Sequence, residues 1–127
     1  MTVLSRVLYG QLAVRSLDWA PAGPGAELGK QLGGAARLRG EEVIRGPARA
    51  RTLRPSQGNL HAFRALSACA VLDVLAPPYS AREGRECTYY TEVASSPSLR
   101  LAPLAPPPWL VIRSAPYHGT PLTLPHS

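Results

Sequence analysis

Proline and glycine punctuate this chain throughout, and the residues between them show almost no helical periodicity. There are 14 prolines and 11 glycines in 127 residues, which argues against a helical bundle and for short strands joined by turns, in an antiparallel sandwich or barrel. The sharpest stop is in "ACAVLDVLAPPY" (68–79), where an unbroken apolar run ends at Pro77 and Pro78, residues that cannot donate a ladder hydrogen bond. The length fits one domain over residues 1–127, large enough to bury roughly two-thirds of its unfolded surface.

Along the chain, "TVLSRVLY" and "QLAVRSLDW" flank Gly10 and read as a hairpin, with Leu12 and Val14 on one face and Arg15 on the other. A Gly/Pro/Ala linker covers 20–34, and "EEVIRG" reads as a third strand. "GNLHAFRAL" (58–66) and the run from 68 to 79 read as consecutive strands around a short turn. After the polar turn "SAREGRE", "CTYYTEV" has the aromatic and β-branched content of a strand. Residues 95–108 are low-complexity, and "WLVIRS" (109–114) reads as a last strand.

The formal charge is +6, almost all from arginine, since Lys30 is the sole lysine. Six arginines fall in "ARLRGEEVIRGPARARTLRP" (36–55). Glu41 and Glu42 interrupt that run and no aromatic residues are interleaved to stack bases, so it reads as a solvated loop and not as a nucleic-acid surface. Cys69 and Cys87 allow one disulfide. No signal peptide is legible at the start, so a reducing compartment, cytoplasmic or nuclear, is expected. No run of about 18 apolar residues suggests a membrane span.

Few residues stand out chemically. Asp73 lies inside "AVLDVL" on the face shared by Val71 and Leu75, where burial would be costly without a partner. Its ordinary explanation is a strand cap or an ion pair with a residue such as Arg64. His61 precedes it by 12 residues, so antiparallel strands around a short turn would let both face one interior, as a site or as packed polar side chains. Cys87 and Tyr89, two apart on a strand, would touch on one face, which ordinary packing also explains. The sequence has no phosphate-binding glycine loop, paired-cysteine zinc signature or Ser/His/Asp arrangement.

Three segments carry a resemblance: "MTVLSRVLYGQLAVRSLDW", "GNLHAFRALSACAVLDVLAPPYSAREGRECTYY" and "VIRSAPYHG". Gly-Asn-x-His, then Leu-Asp-x-Leu-x-Pro-Pro-Tyr, then Gly-Arg-x-Cys-x-Tyr-Tyr, in that order, resembles the plant cysteine oxidase and cysteamine (2-aminoethanethiol) dioxygenase family of thiol dioxygenases. The resemblance implies an all-β cupin fold, a double-stranded β-helix or jelly-roll barrel, carrying one Fe(II) on three histidines. It implies addition of both atoms of O2 to a thiol to give a sulfinic acid, and in plants an N-terminal cysteine substrate on regulatory proteins, so that oxygen level sets protein lifetime. Three imidazoles leave room on the iron for thiolate, amine and O2 together. By resemblance His61 is the third ligand, Asp73 and Tyr79 line the substrate pocket in catalytic and substrate-binding roles, and Cys87 and Tyr89 match a pair that can become thioether-linked.

In the family the first two ligands sit in a His-x-His-Pro-Gly segment immediately before the strand that reads Met-Thr-Val here. The expectation is therefore a cupin incomplete at its N-terminus, with one ligand of three, inactive alone and weakly soluble; an intact form is expected to be monomeric. His118 and His126 match family segments that supply no ligand. A non-catalytic fragment that binds substrate peptides or a full-length relative is the competing expectation, and a basic nucleic-acid adaptor ranks below both.

Overall fold

The computed structural model describes residues 1–20, 32–93, 99–113, 115, 116 and 118–120. Eight strands are seen there: β1 Thr2–Tyr9, β2 Gln11–Trp19, β3 Gly34–Arg45, β4 Arg51–Leu53, β5 Leu60–Ala65, β6 Ala70–Ala76, β7 Tyr89–Val93 and β8 Leu99–Leu104. They form two antiparallel sheets, β4-β1-β6 and β5-β2-β3-β8-β7. This is the all-β, two-sheet architecture expected of a cupin jelly roll.

β1 and β2 do not form the expected hairpin. Each joins a different sheet, β1 between β4 and β6 and β2 between β3 and β5. Gly10 is the corner between them. Its φ is +81°, and a Cβ there would meet the Ala68 carbonyl oxygen at 2.1 Å and the Cys69 Cβ at 2.6 Å, so only glycine lets the chain change layers at this point. The same separation applies to β5 and β6, which are consecutive but lie in opposite sheets and not around a shared hairpin turn.

The core forms beside this corner. Val7, Leu12 and Val14 are buried together, with Ile44, Ala48, Cys69 and Val71 packed against them. Val7 and Val71 come from the three-stranded sheet and Leu12, Val14 and Ile44 from the five-stranded one, so the cluster joins the inner faces of the two layers. Each such side chain contributes about 1.5–3 kcal/mol on burial. The outer face of the three-stranded sheet is barely covered, with Leu4, Leu72 and Val74 exposed by 48, 53 and 54%.

The arginine-rich segment is not a loop. Most of it forms β3 and β4, and its charges are paired locally: Arg15 with Glu41 at 2.9 Å, Arg51 with Glu42 at 2.5 Å, and Arg37 and Arg39 with Asp18 at 3.7 and 3.2 Å. Residues 36–45 pair along nearly the whole of β2, and cross-strand contact of this kind outweighs a charge pattern that reads as solvated.

Two further differences lie toward the C-terminus. β8 runs through the low-complexity stretch, and its Pro103 lies beyond Leu101, the last residue paired with β3, where β7 alone flanks the strand; proline is tolerated at such an edge. "WLVIRS" forms no strand over residues 109–113. The chain turns there, with the Leu110 amide donating to the Pro107 carbonyl at 2.9 Å, and Trp109, Val111 and Ile112 are left exposed. The linker over 21–31, residues 94–98 and His126 lie outside the described residues.

Candidate active site

Strand register decides which side chains enter the space between the sheets. On β2, Leu12, Val14 and Ser16 share the inner face, and their cross-strand partners on β5 are Ala65, Phe63 and His61. On β1, Val3, Ser5 and Val7 share the inner face, opposite Leu75, Asp73 and Val71 on β6. Directly opposed residues of an antiparallel pair lie on one face. Both inner walls are therefore apolar near the Gly10 corner and turn polar one step away, at Ser16 and His61 on one wall and Ser5 and Asp73 on the other.

The expectation that His61 and Asp73 face one interior thus holds by register, across two sheets instead of within a hairpin. Asp73 is exposed, not buried, so no partner is demanded by desolvation. Arg64 cannot serve as that partner, because it pairs with Ala13 and so points to the outer face of β5.

His61 is held by its own turn. Its Nδ1 lies 3.0 Å from the Asn59 carbonyl oxygen, and its ring leans on Phe63 with centroids 4.7 Å apart. A carbonyl only accepts, so Nδ1 is the donor in this contact, and in the neutral ring that leaves the lone pair on Nε2. His61 therefore fits one coordination position on a metal. Among the described residues no three His, Cys, Asp or Glu side chains gather to hold an ion, and one imidazole is not a complete iron site.

Beside Asp73 a second group assembles. Tyr79 follows Pro77 and Pro78, and Cys87 and Tyr89 follow the 3-10 turn Ala81–Glu83. The Tyr79 pKa is raised above its ordinary 10.0 by partial burial, then by Cys87, whose thiol its hydroxyl contacts, and more weakly by Tyr89 and Asp73. Tyr89 is raised for the same first two reasons, desolvation and Cys87. Cys87 precedes the first residue of β7, so the expected contact with Tyr89 is made at a strand entrance and not along a strand. Cys69 and Cys87 are both free thiols.

Asp18 escaped the sequence reading. It is 9% exposed, its Oδ1 accepts from the Gly58 amide at 2.6 Å, and its Oδ2 accepts from Arg39 Nη1 at 3.2 Å. The signal was parity: residues 12, 14, 16 and 18 share the inner face of β2, so a carboxylate at 18 required partners.

The two antiparallel sheets are consistent with a cupin-like β-sandwich. The PCO_ADO family description matches residues 1–121. The chain is 43% identical over 93 residues to plant cysteine oxidase 1 of Arabidopsis thaliana, with 72% of this chain and 31% of that protein covered. It is 42% identical over 91 residues to plant cysteine oxidase 2 of the same organism, covering 71% and 32%, and 36% identical over 101 residues to a probable 2-aminoethanethiol dioxygenase of Dictyostelium discoideum, covering 78% and 44%. The chain belongs to the PCO_ADO family, and its matched part spans less than half the length of each of these relatives.

Proposed function

We propose that these residues carry the substrate-facing share of an Fe(II)-dependent thiol dioxygenase that acts on the N-terminal cysteine of a protein or peptide. The observation that carries this reading is the pair of facing inner walls, with His61 on one and Asp73 on the other, and the Tyr79–Cys87–Tyr89 group beside Asp73. Family membership and the relatives named as cysteine oxidases support it.

In this reading His61 is one of three imidazole ligands, and Fe(II), when bound, would supply the centre at which thiolate and O2 meet. Asp73 accepts hydrogen bonds from the substrate ammonium, which fixes the end of the chain that bears the thiol. Tyr79, a neutral phenol, donates its hydroxyl hydrogen to a neighbouring acceptor. Both oxygen atoms end on sulfur, giving cysteine sulfinic acid without an external reductant. Two free cysteines agree with a reducing cytoplasmic or nuclear setting, where oxidation of an N-terminal cysteine would report oxygen supply.

A second reading is that the chain binds N-terminal cysteine peptides without oxidising them, favoured by the finding that among the described residues no three His, Cys, Asp or Glu side chains gather to hold an ion. Anaerobic Fe(II) titration followed by O2 consumption on a peptide with an N-terminal cysteine separates the outcomes. Peptide binding with neither stoichiometric iron nor turnover supports a substrate-facing share that lacks its other ligands. Stoichiometric iron with turnover would show that other residues of this chain complete the site. No affinity for the peptide would remove both readings.

A further inference from the structure

We infer that Asp18 is the positioning residue for His61, acting through the turn at Gly58 and Asn59. Asp18 lies on β2, in the sheet that carries His61 but two residues past Ser16, the cross-strand partner of His61. Its carboxylate meets the backbone just before β5: Oδ1 takes the Gly58 amide hydrogen at 2.6 Å. Two peptide units further along, the Asn59 carbonyl takes the His61 Nδ1 hydrogen at 3.0 Å. The chain of contacts is thus carboxylate, Gly58 amide, Asn59 carbonyl, imidazole.

Three features tighten it. Gly58 has φ +62°, so its turn is left-handed and specific. The register shift between Ser16 and Leu17 leaves Arg39 as the extra residue of β3, and its side chain reaches Asp18 Oδ2 at 3.2 Å. The same Arg39 side chain and Ser16 lie over Gly58, the nearest atoms 3.5 and 3.9 Å from where a Cβ would stand. The Gln57–Gly58 peptide that enters the turn is therefore held by a buried, charge-paired acceptor, and with Gly58 in its left-handed conformation the turn carries that constraint on to the Asn59 carbonyl, two peptide units further along.

The consequence for the site is a fixed tautomer. With Nδ1 donating to Asn59, Nε2 stays unprotonated and points away from the turn, in the state a metal ligand requires. This rests on the reading of His61 as a ligand only for its purpose; the arrangement itself is independent of any ion.

The test is the His61 tautomer, read from imidazole nitrogen and carbon resonances of the metal-free 127-residue chain at a pH where the ring is neutral. The wild-type chain should show Nδ1 protonated and Nε2 in the unprotonated range. Asp18→Ala should move the Nε2 resonance toward the averaged position of an unconstrained histidine, and Asp18→Asn, which keeps an acceptor without the charge, should move it part of the way. Amide dispersion reports whether each variant is folded, and if Asp18→Ala is not, the partial shift in Asp18→Asn decides. An unchanged tautomer in a folded variant, or a wild-type ring protonated on Nε2, overturns the proposal. Because no iron enters the measurement, failure of iron or peptide binding would overturn the dioxygenase reading and leave this one standing.

Discussion

The two inner walls of the barrel are built differently. The wall that bears His61 is fastened: its turn is tied by Asp18, Asp18 is tied by Arg39, and the imidazole is tied by Asn59. The wall that bears Asp73 is open, with an exposed carboxylate and Tyr79, itself 53% exposed, meeting Cys87 from a segment that follows two prolines. The difference teaches which part of the site must be rigid. Under the proposed function, an imidazole that holds an ion would have to keep one nitrogen in one direction, whereas a carboxylate that receives a diffusing ammonium would have to be reachable.

The largest effect should come where the two walls share their support. Leu12→Ala opens the cluster in which Val7 and Val71 of one sheet meet Val14 and Ile44 of the other, and should cost about 2–5 kcal/mol. Denaturant titration would read it. A loss confined to the His61 turn in hydrogen exchange, with the Asp73 strand unaffected, would break the comparison by showing that the walls are not anchored together.

Next in size is the fastening itself. Asp18→Ala strands a buried Gly58 amide and leaves Arg39 without its acceptor, and should cost about 1–3 kcal/mol in a chemical melt. The matching substitution on the other wall, Asp73→Asn, should stay within about 0.5 kcal/mol of wild type, because the residue is exposed. It should instead abolish binding of a peptide with a free N-terminal cysteine, measured by calorimetry. Equal stability losses at the two carboxylates would erase the contrast between the walls.

How much of this was legible in the sequence follows the same division. Alternation in "QLAVRSLDW" fixed which side chains of β2 turn inward, and the apolar run ending at Pro77 marked the end of β6. What alternation could not supply is which strands pair, because register is a contact between residues far apart in the chain. Gly10 looks like a hairpin turn until the backbone of Ala68 and Cys69 is brought against it, and only then does it become a corner between layers. His61 and Asp73 were visible as an unusual pair. Asp18 was equally visible by parity, but its partners Gly58 and Arg39 lie 40 and 21 residues away, so nothing local announced them. β8 was hidden by Pro103 and its low-complexity setting, and "WLVIRS" shows the converse, strand-forming residues for which the chain provides a turn instead of a ladder.

The smallest expected effect sharpens the picture of the open wall. Tyr79 is raised above the ordinary 10.0 first by desolvation and second by Cys87. Cys87→Ala should therefore lower its titration midpoint only part of the way back, while a fall to the ordinary value would mean that the thiol, not burial, governs the site. Spectrophotometric titration of the phenolate band, with Tyr79→Phe to assign the component, makes the measurement. The sign of the linked stability follows from the direction of the shift. Folding favours the neutral phenol, so the contribution is fully present below about pH 10, where the unfolded chain ionises, and is lost as pH rises through the higher folded value. Tyr79 therefore stays a neutral phenol to a higher pH than a free tyrosine, and under the proposed function it stands as a hydrogen-bond donor beside Asp73, on the wall assigned to the substrate amine.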